Sequence, residues 1–373
     1  MNRMSIALSL ALLSGLATAS DDSLNFHPPF QGPRAVYTES NDANKNEILV
    51  MRRDRNGDLK LVDRVSTRGR GTGAALGNQG GLALSPDGRR LYAINAGSDE
   101  ISVFSVFGDR LVLTQKLASG GDQPISITVK HDLMYVLNAG GDGNITGFYA
   151  GDDRRVYPIP GSTRPLSGSG TGPAQIAFDT FGDVLVVTEK GTNKIVLYDV
   201  VDGVAQAPQV RASNGMTPFG FAFDRHDNLI VSEAAGGAPN ASTVSSYELD
   251  GAQYPLEVVS ASISGGQTAA CWVAVTRNGR YAYATNTGSS SVTGFSVARN
   301  GALTLLNANG VTGRTIAGSS PIDVAASHDG GFLFVLTGNV GMIHGFRIRE
   351  DGSLRATSRI DGIPASASGL VAH

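Results

Sequence analysis

The stretch GGLALSPDGRRLYAIN, residues 80–95, carries the decision about the fold. An apolar alternating run meets a polar turn, SPDGR, and a second alternating run, LYAIN, follows; that is the pattern of a β-hairpin. The pattern returns as AQIAFDTFGDVLVVTE (174–189), FGFAFDRHDNLIVSE (219–233), WVAVTRNGRYAYATN (272–286) and IDVAASHDGGFLFVLT (322–337). Further runs follow each hairpin. After Asn95 come AGSDEISVFSV, the turn FGD and RLVLTQKL, and after Asn286 comes TGSSSVTGFSVARNGALTLLN. One copy is a four-stranded antiparallel unit.

The residue ending the second strand falls at Glu39, Asn95, Asn138, Glu189, Glu233, Asn286 and Thr337, at spacings of 43 to 56 residues. Seven such units predict an all-β chain, a seven-bladed β-propeller whose radial sheets pack face to face around a central channel and leave only short edges. A chain of 373 residues could hold one domain or two, but 48 glycines and 17% charged residues favour many tight turns and an all-β fold. Blade 1 opens with a second strand, AVYTES, because nothing before Ala35 resembles the first strand of the other copies. At the far end, the GLVA of SASGLVAH (366–373) resembles GLAL at 81–84, so the tail is expected to supply the missing innermost strand and close the ring. Pro124, Pro173, Pro218 and Pro321 fall at the starts of first strands, where a missing N–H costs no ladder bond.

Residues 1–19 read as a secretory signal peptide, with Arg3, an apolar run and small residues at Ala17 and Ala19; 20–34 read as an extended leader and 35–373 as the propeller. A secreted or periplasmic protein follows, with no membrane span, since no later stretch approaches about 18 consecutive apolar residues. The lone Cys271 cannot form an internal disulfide. A net charge of −3 provides no field for nucleic acid, and MRRDR at 51–55 reads as a solvated hairpin turn. The chain is expected to act as a monomer. No GxSxG elbow is present, and GRGTG (69–73) and SGSGTG (167–172) precede no helix, so neither is a nucleotide loop and no cofactor is expected. Without a Cys/His cluster no zinc is expected; calcium is conceivable at the Asn and Glu ring but has no loop signature, and no residue is assigned as a metal ligand.

Chemistry is sought where side chains approach the channel. First-strand candidates are Gly81, Ser126, Gln175, Gly220, Trp272, Asp323 and Gly369. Six of the seven second-strand ends carry an amide or a carboxylate, groups that orient a polar ligand or activate water. The competing reading has them ending strands and bonding neighbouring backbone. Trp272 beside Cys271 is either an aromatic plug or a stacking surface for a ring substrate. His131, His226 and His328 fall in hairpin turns, while His344 lies within a third strand.

Through LALSPDGRRLYAINAGSDEISVFSV, VAVTRNGRYAYATNTGSSSVTGFSVARNGALTLL and VAASHDGGFLFVLTGNVGMIHGFRIREDGSL, the chain from Ala35 onward resembles the seven-bladed lactonase family. That family includes bacterial 6-phosphogluconolactonases, fungal carboxymuconate cyclases and YVTN-repeat relatives. The resemblance implies a small-molecule lactone or carboxylate ligand. Glu189 or Glu233 would take a proton from water and Asn138 or Asn286 would hold the oxyanion, with Glu39, Asn95, Gln175, Trp272 and Asp323 around the ligand. In blade 4 the family pattern has a His near the first-strand start and an Asn-Glu pair after the second; here Gln175 and Glu189-Lys190 stand there. The alternative class is a non-catalytic binding or scaffold propeller of the cell envelope, with 157–172 and 234–245 as its surface loops.

Overall fold

Seven antiparallel sheets succeed one another along the chain in a computed structural model that describes residues 34–151, 155–253 and 255–373. The signal peptide expected at 1–19 and all but the last residue of the leader lie outside the described residues. Each blade is built from sequential strands joined by tight turns. The second strands are Ala35–Glu39, Arg90–Asn95, Leu133–Asn138, Val184–Glu189, Asn228–Glu233, Tyr281–Asn286 and Phe332–Thr337, ending on the residues expected from the repeat. Innermost strands open at Pro124, Pro173, Pro218 and Pro321, as the missing amide donor requires. The tail strand Ser368–Ala372 pairs antiparallel with Ala35–Glu39, Tyr37 opposite Val371, and His373 N–H donates to Ala35 O at 2.8 Å. Blade 1 is therefore completed by the C-terminal residues.

In blades 3, 4 and 6 the outermost position is shared by two short strands, such as Leu303–Leu305 and Gly313–Arg314, which pair with the same third strand. The stretch 234–245, expected as a surface loop, holds a 3-10 turn at Ala235–Gly237 and already enters the strand Thr243–Glu248.

Second strands such as VLVVTE are buried along their whole length, which requires apolar packing on both faces. Seven apolar clusters result, one per seam between neighbouring blades. Tyr37, Tyr135 and Tyr283 reach across their seams to backbone carbonyls of the next blade's outer turn, Gly108, Gly203 and Gly352. A buried aromatic ring with its hydroxyl satisfied contributes area without an orphan polar atom. The seam between blades 7 and 1 also carries an ion pair, Arg53 to Asp329 at 2.6 Å, with the Arg53 side chain 2% exposed. MRRDR is thus only partly a solvated turn: Arg53 is drawn inward because Phe332 offers a ring face at 4.6 Å and Asp329 a counter-charge.

Candidate functional site

The innermost strands leave backbone N–H and C=O groups facing the channel, and these need partners. A register shift after the first residue of the strand, as between Pro173 and Gln175 or Pro321 and Asp323, re-aims the next side chain toward the neighbouring blade. Ser126 Oγ accepts from Ile176 N–H at 3.1 Å. Gln175 bonds both groups of Phe221, accepting from its N–H at 2.7 Å and donating to its carbonyl at 3.0 Å. Asp323 Oδ1 accepts from Val324 N–H at 2.7 Å, and Leu370 N–H also bonds this carboxyl. Gln175 and Asp323 stand on the channel wall and stitch seams.

Blade 5 has no such side chain, since Gly220 occupies the position. Its task passes to Gln79, which accepts from Val273 N–H at 3.0 Å and donates to Val273 O at 2.7 Å. A Cβ on Gly220 would lie 2.0 Å from Gln79 Oε1 and 2.6 Å from the Cys271 carbonyl oxygen, so both Gln79 and the backbone of blade 6 keep this position a glycine. Gln79 belongs to the connection between blades 1 and 2, whose length makes the first spacing the longest. That connection enters the channel. Gln79 N–H donates to Ala174 O at 3.0 Å, Ile127 N–H to Gly80 O at 2.8 Å, Trp272 Nε1–H to Asn78 O at 2.7 Å and Ser368 Oγ–H to Asn78 Oδ1 at 2.9 Å. Asn78 also donates to Ile125 O, and Lys190 Nζ to Gly77 O. Residues 77–80 are tied to blades 1, 3, 4 and 6 and plug the channel. Sequence reasoning missed this plug; its signal was the surplus length before GNQGG.

The strand-end residues turn toward the third strands of their own blades and the connections that precede those blades. Asn95 Oδ1 accepts from Thr67 Oγ1 at 2.6 Å and its amide donates to Ser102 Oγ at 2.8 Å. Asn286 donates to Ser291 Oγ and Thr293 Oγ1, and Asn138 to Asn144 Oδ1. Glu189 accepts from Ser167 N–H at 2.9 Å, from the Ser167 hydroxyl and from Thr192 Oγ1 at 2.6 Å. Glu233 accepts from Gly215 N–H at 2.8 Å, Ser245 Oγ at 2.6 Å, Ser262 Oγ at 3.0 Å and Thr243 Oγ1. Both carboxylates are fully buried, and their oxygens are occupied by donors of the adjoining connection and outer strands. Glu39 differs: Oε2 accepts from Asn46 at 3.1 Å while Oε1, also buried, has no hydrogen-bond partner. Burial pushes its carboxyl well above the usual range, and does the same to Asp323, whose Oδ2 is likewise unpartnered. Glu39, Glu189 and Glu233 sit in three blades and share no hydrogen-bond partner.

Successive side chains of a strand point to opposite sides, so the residue after each strand end faces the other way. Those residues are Ser40, Ala96, Ala139, Lys190, Ala234, Thr287 and Gly338. Six are small and one is a lysine. Besides its bond to the plug, the Lys190 ammonium lies 4.6 Å from the Phe219 ring centroid, and Phe219 packs on Trp272 with centroids 4.9 Å apart. Burial lowers Lys190 to about 8 and raises the neighbouring Cys271 thiol to about 11, so near neutral pH the ammonium faces an uncharged thiol. Among the described residues no carboxylate pairs with it. Met216, 63% exposed, lies on the turn leading to Phe219. Beside the plug the Lys190 cation thus lies over an aromatic pair, an arrangement that can hold a carboxylate or a developing oxyanion.

Residues 42–156 and 234–363 match the family model described as Lactonase, 7-bladed beta-propeller; the unmatched stretch between them carries Gln175, Glu189, Lys190 and Phe219. Comparison with curated proteins finds no match. Among solved structures, the periplasmic gluconolactonase of Pseudomonas aeruginosa is 16% identical with a TM-score of 0.68, over 90% of this chain and 98% of that one. A Bacteroides fragilis protein described as a candidate 6-phosphogluconolactonase is 18% identical with a TM-score of 0.69, over 93% and 99%. A Lactobacillus plantarum protein is 17% identical with a TM-score of 0.73, over 91% and 99%. At such identities the structures speak for the fold, and the family model for descent. With most of its blades matched and the ring completed by its own tail, this chain belongs to the seven-bladed β-propeller lactonase family.

Proposed function

We propose that this protein hydrolyses a small lactone, or forms one from a carboxylate, at the channel mouth beside Lys190, and that it works outside the cytoplasm after removal of residues 1–19. The observation that carries this reading is the Lys190 ammonium, which lies over the Phe219 ring with no carboxylate partner among the described residues. One Nζ–H is taken by Gly77 O, which leaves donors for an oxygen of the ligand. In hydrolysis the carbonyl oxygen gains negative charge as water adds, and a fixed cation in a half-buried site stabilises that charge more than it would in water. The Phe219–Trp272 pair supplies an apolar floor for a ring. Glu189 and Glu233 act here as positioning residues: one holds the connection at Ser167 and Thr192 next to Lys190, the other holds Gly215 ahead of Phe219. The names of the Pseudomonas and Bacteroides structures favour a sugar lactone as the first substrate to try.

The test is acid release from a panel of sugar and aromatic lactones. Lys190→Gln is expected to lower kcat/KM about 100-fold. Activity of the natural protein should fall as pH rises through about 8, where Lys190 loses its proton, and Lys190→Arg should move that fall to higher pH. A panel with no substrate, or a Lys190→Gln variant as active as the parent, overturns the reading. A non-catalytic envelope-binding propeller is the second reading, favoured by the plugged channel and by two carboxylates already saturated with donors. Turnover of a panel lactone by the natural protein, lost in Lys190→Gln while ligand binding is retained, argues against it.

A further inference from the structure

A cavity of about 310 Å³ opens between the last strand of blade 6 and the outer two strands of blade 7, away from the channel. Arg314 and Thr315 line it from one side, and His344, Thr357, Ser358 and Arg359 from the other. The register explains the grouping: His344 stands directly opposite Arg359 in blade 7, and Arg314 ends the short strand Gly313–Arg314 that packs against that blade. His344 is 6% exposed, and its Nε2 is buried with no hydrogen-bond partner; the buried Thr357 hydroxyl also lacks one. A buried polar atom without a partner is unfavourable, so such atoms in a cavity wall point to something that enters it. No acidic side chain lines the cavity. Among the described residues neither Arg314 nor Arg359 makes an ion pair.

We propose that this cleft is a second ligand site, one that binds a phosphate dianion or phosphate monoester between Arg314 and Arg359 with His344 beneath. Each guanidinium offers a planar fork of donors that matches two oxygens of an anion. A carboxylate has only two oxygens and fills one fork, whereas a tetrahedral phosphate reaches both forks and still has an oxygen for the imidazole. Burial, and then the nearby Arg359 charge, lower His344 to about 4, so the ring is neutral at physiological pH and, in its Nε2–H tautomer, donates to the anion without adding a third charge. The site stands apart from the channel mouth, and the inference does not depend on lactone chemistry.

Inorganic phosphate is the probe, titrated calorimetrically into the purified protein. Saturable binding of one phosphate per chain is expected, weakened at least about tenfold by Arg359→Gln or Arg314→Gln. Arg355→Gln, on the same strand but outside the cavity, should leave it unchanged. The His344 imidazole nitrogen resonance should move on adding phosphate and stay still in sodium chloride of equal ionic strength. Absence of saturable binding, equal weakening by Arg355→Gln, acetate binding as tightly as phosphate, or an unmoved His344 resonance would each overturn the proposal.

Discussion

The seam between blades 4 and 5 and the seam between blades 5 and 6 present the same problem and solve it differently. In both, the innermost strand of the later blade offers an N–H and a C=O to the channel, on Phe221 and on Val273. At the first seam Gln175, from the neighbouring blade, bonds both. At the second, Gly220 has nothing to offer, and Gln79 arrives from a connection 194 residues before Val273 to make the same pair of bonds. A position that looks empty in one blade is the reason another part of the chain fills the channel. The plug and the glycine are two halves of one device.

The largest way to break a seam is to remove what completes the ring. Deleting residues 368–373 strips the partner strand from Ala35–Glu39. The loss is expected to rival the whole stability of an ordinary domain, about 5–15 kcal/mol; near-ultraviolet circular dichroism and protease resistance should both vanish. A folded, cooperative truncated protein would refute the closure.

Gly220→Gln comes next. Its side chain collides with Gln79, at an expected cost of about 3 kcal/mol in denaturant unfolding. In a Gln79→Ala background the same substitution should cost less but still destabilise, because the Cβ also lies 2.6 Å from the Cys271 carbonyl oxygen, a backbone atom that Gln79→Ala leaves in place. Fully additive effects of the two changes would show that Gln79 and position 220 do not compete for the same space. Gln79→Ala alone is expected to cost about 2 kcal/mol, much like Gln175→Ala, by leaving both groups of a buried strand edge without partners. A cost below about 0.5 kcal/mol, the range of an ordinary surface change, would show that the plug does not seal the seam.

The seams also differ in their response to pH. Burial raises Asp323, which faces the tail strand of blade 1, so the folded protein keeps this proton where the unfolded chain has lost it. Its ionisation therefore erodes stability as pH rises from the ordinary carboxylate range toward the raised value, and Asp323→Asn should remove that slope. At the outer part of the same seam, burial would raise Asp329, but hydrogen bonds from Ser327 and Arg53 outweigh it and hold the carboxylate below its usual range. This contribution is present above the usual carboxylate range and disappears as pH falls through the lowered value. For a side chain 34% exposed, Asp329→Asn should cost only about 1 kcal/mol at neutral pH and nothing in strong acid. Unfolding midpoints measured across pH distinguish the two carboxyls.

Strand ends, prolines at inner-strand starts and the tail's place in blade 1 were readable because hairpin chemistry is local and the repeat supplies seven versions of it. The mouth was not. Strand-end carboxylates such as Glu189 and Glu233 attract notice by type, yet side-chain direction alternates at every residue, and one step along the chain separates Glu189, bonded within its own blade, from Lys190, lying over the channel plug. His344, Arg314 and Arg359 carried no motif, since their grouping exists only where blade 6 lies against blade 7.

By itself, then, the sequence determined the blade count, the strand order and the family, because alternation, turn residues and period act over a few neighbouring positions. Only the tertiary structure decided that residues 77–80 fill the channel, that Lys190 bonds this plug while Glu189 and Glu233 are occupied by hydroxyl and backbone donors, and that two arginines and a buried histidine line one cavity at a seam. Those outcomes depend on where distant edge groups find hydrogen-bond partners, and in a closed ring the partner is chosen by spatial adjacency, which no local pattern encodes.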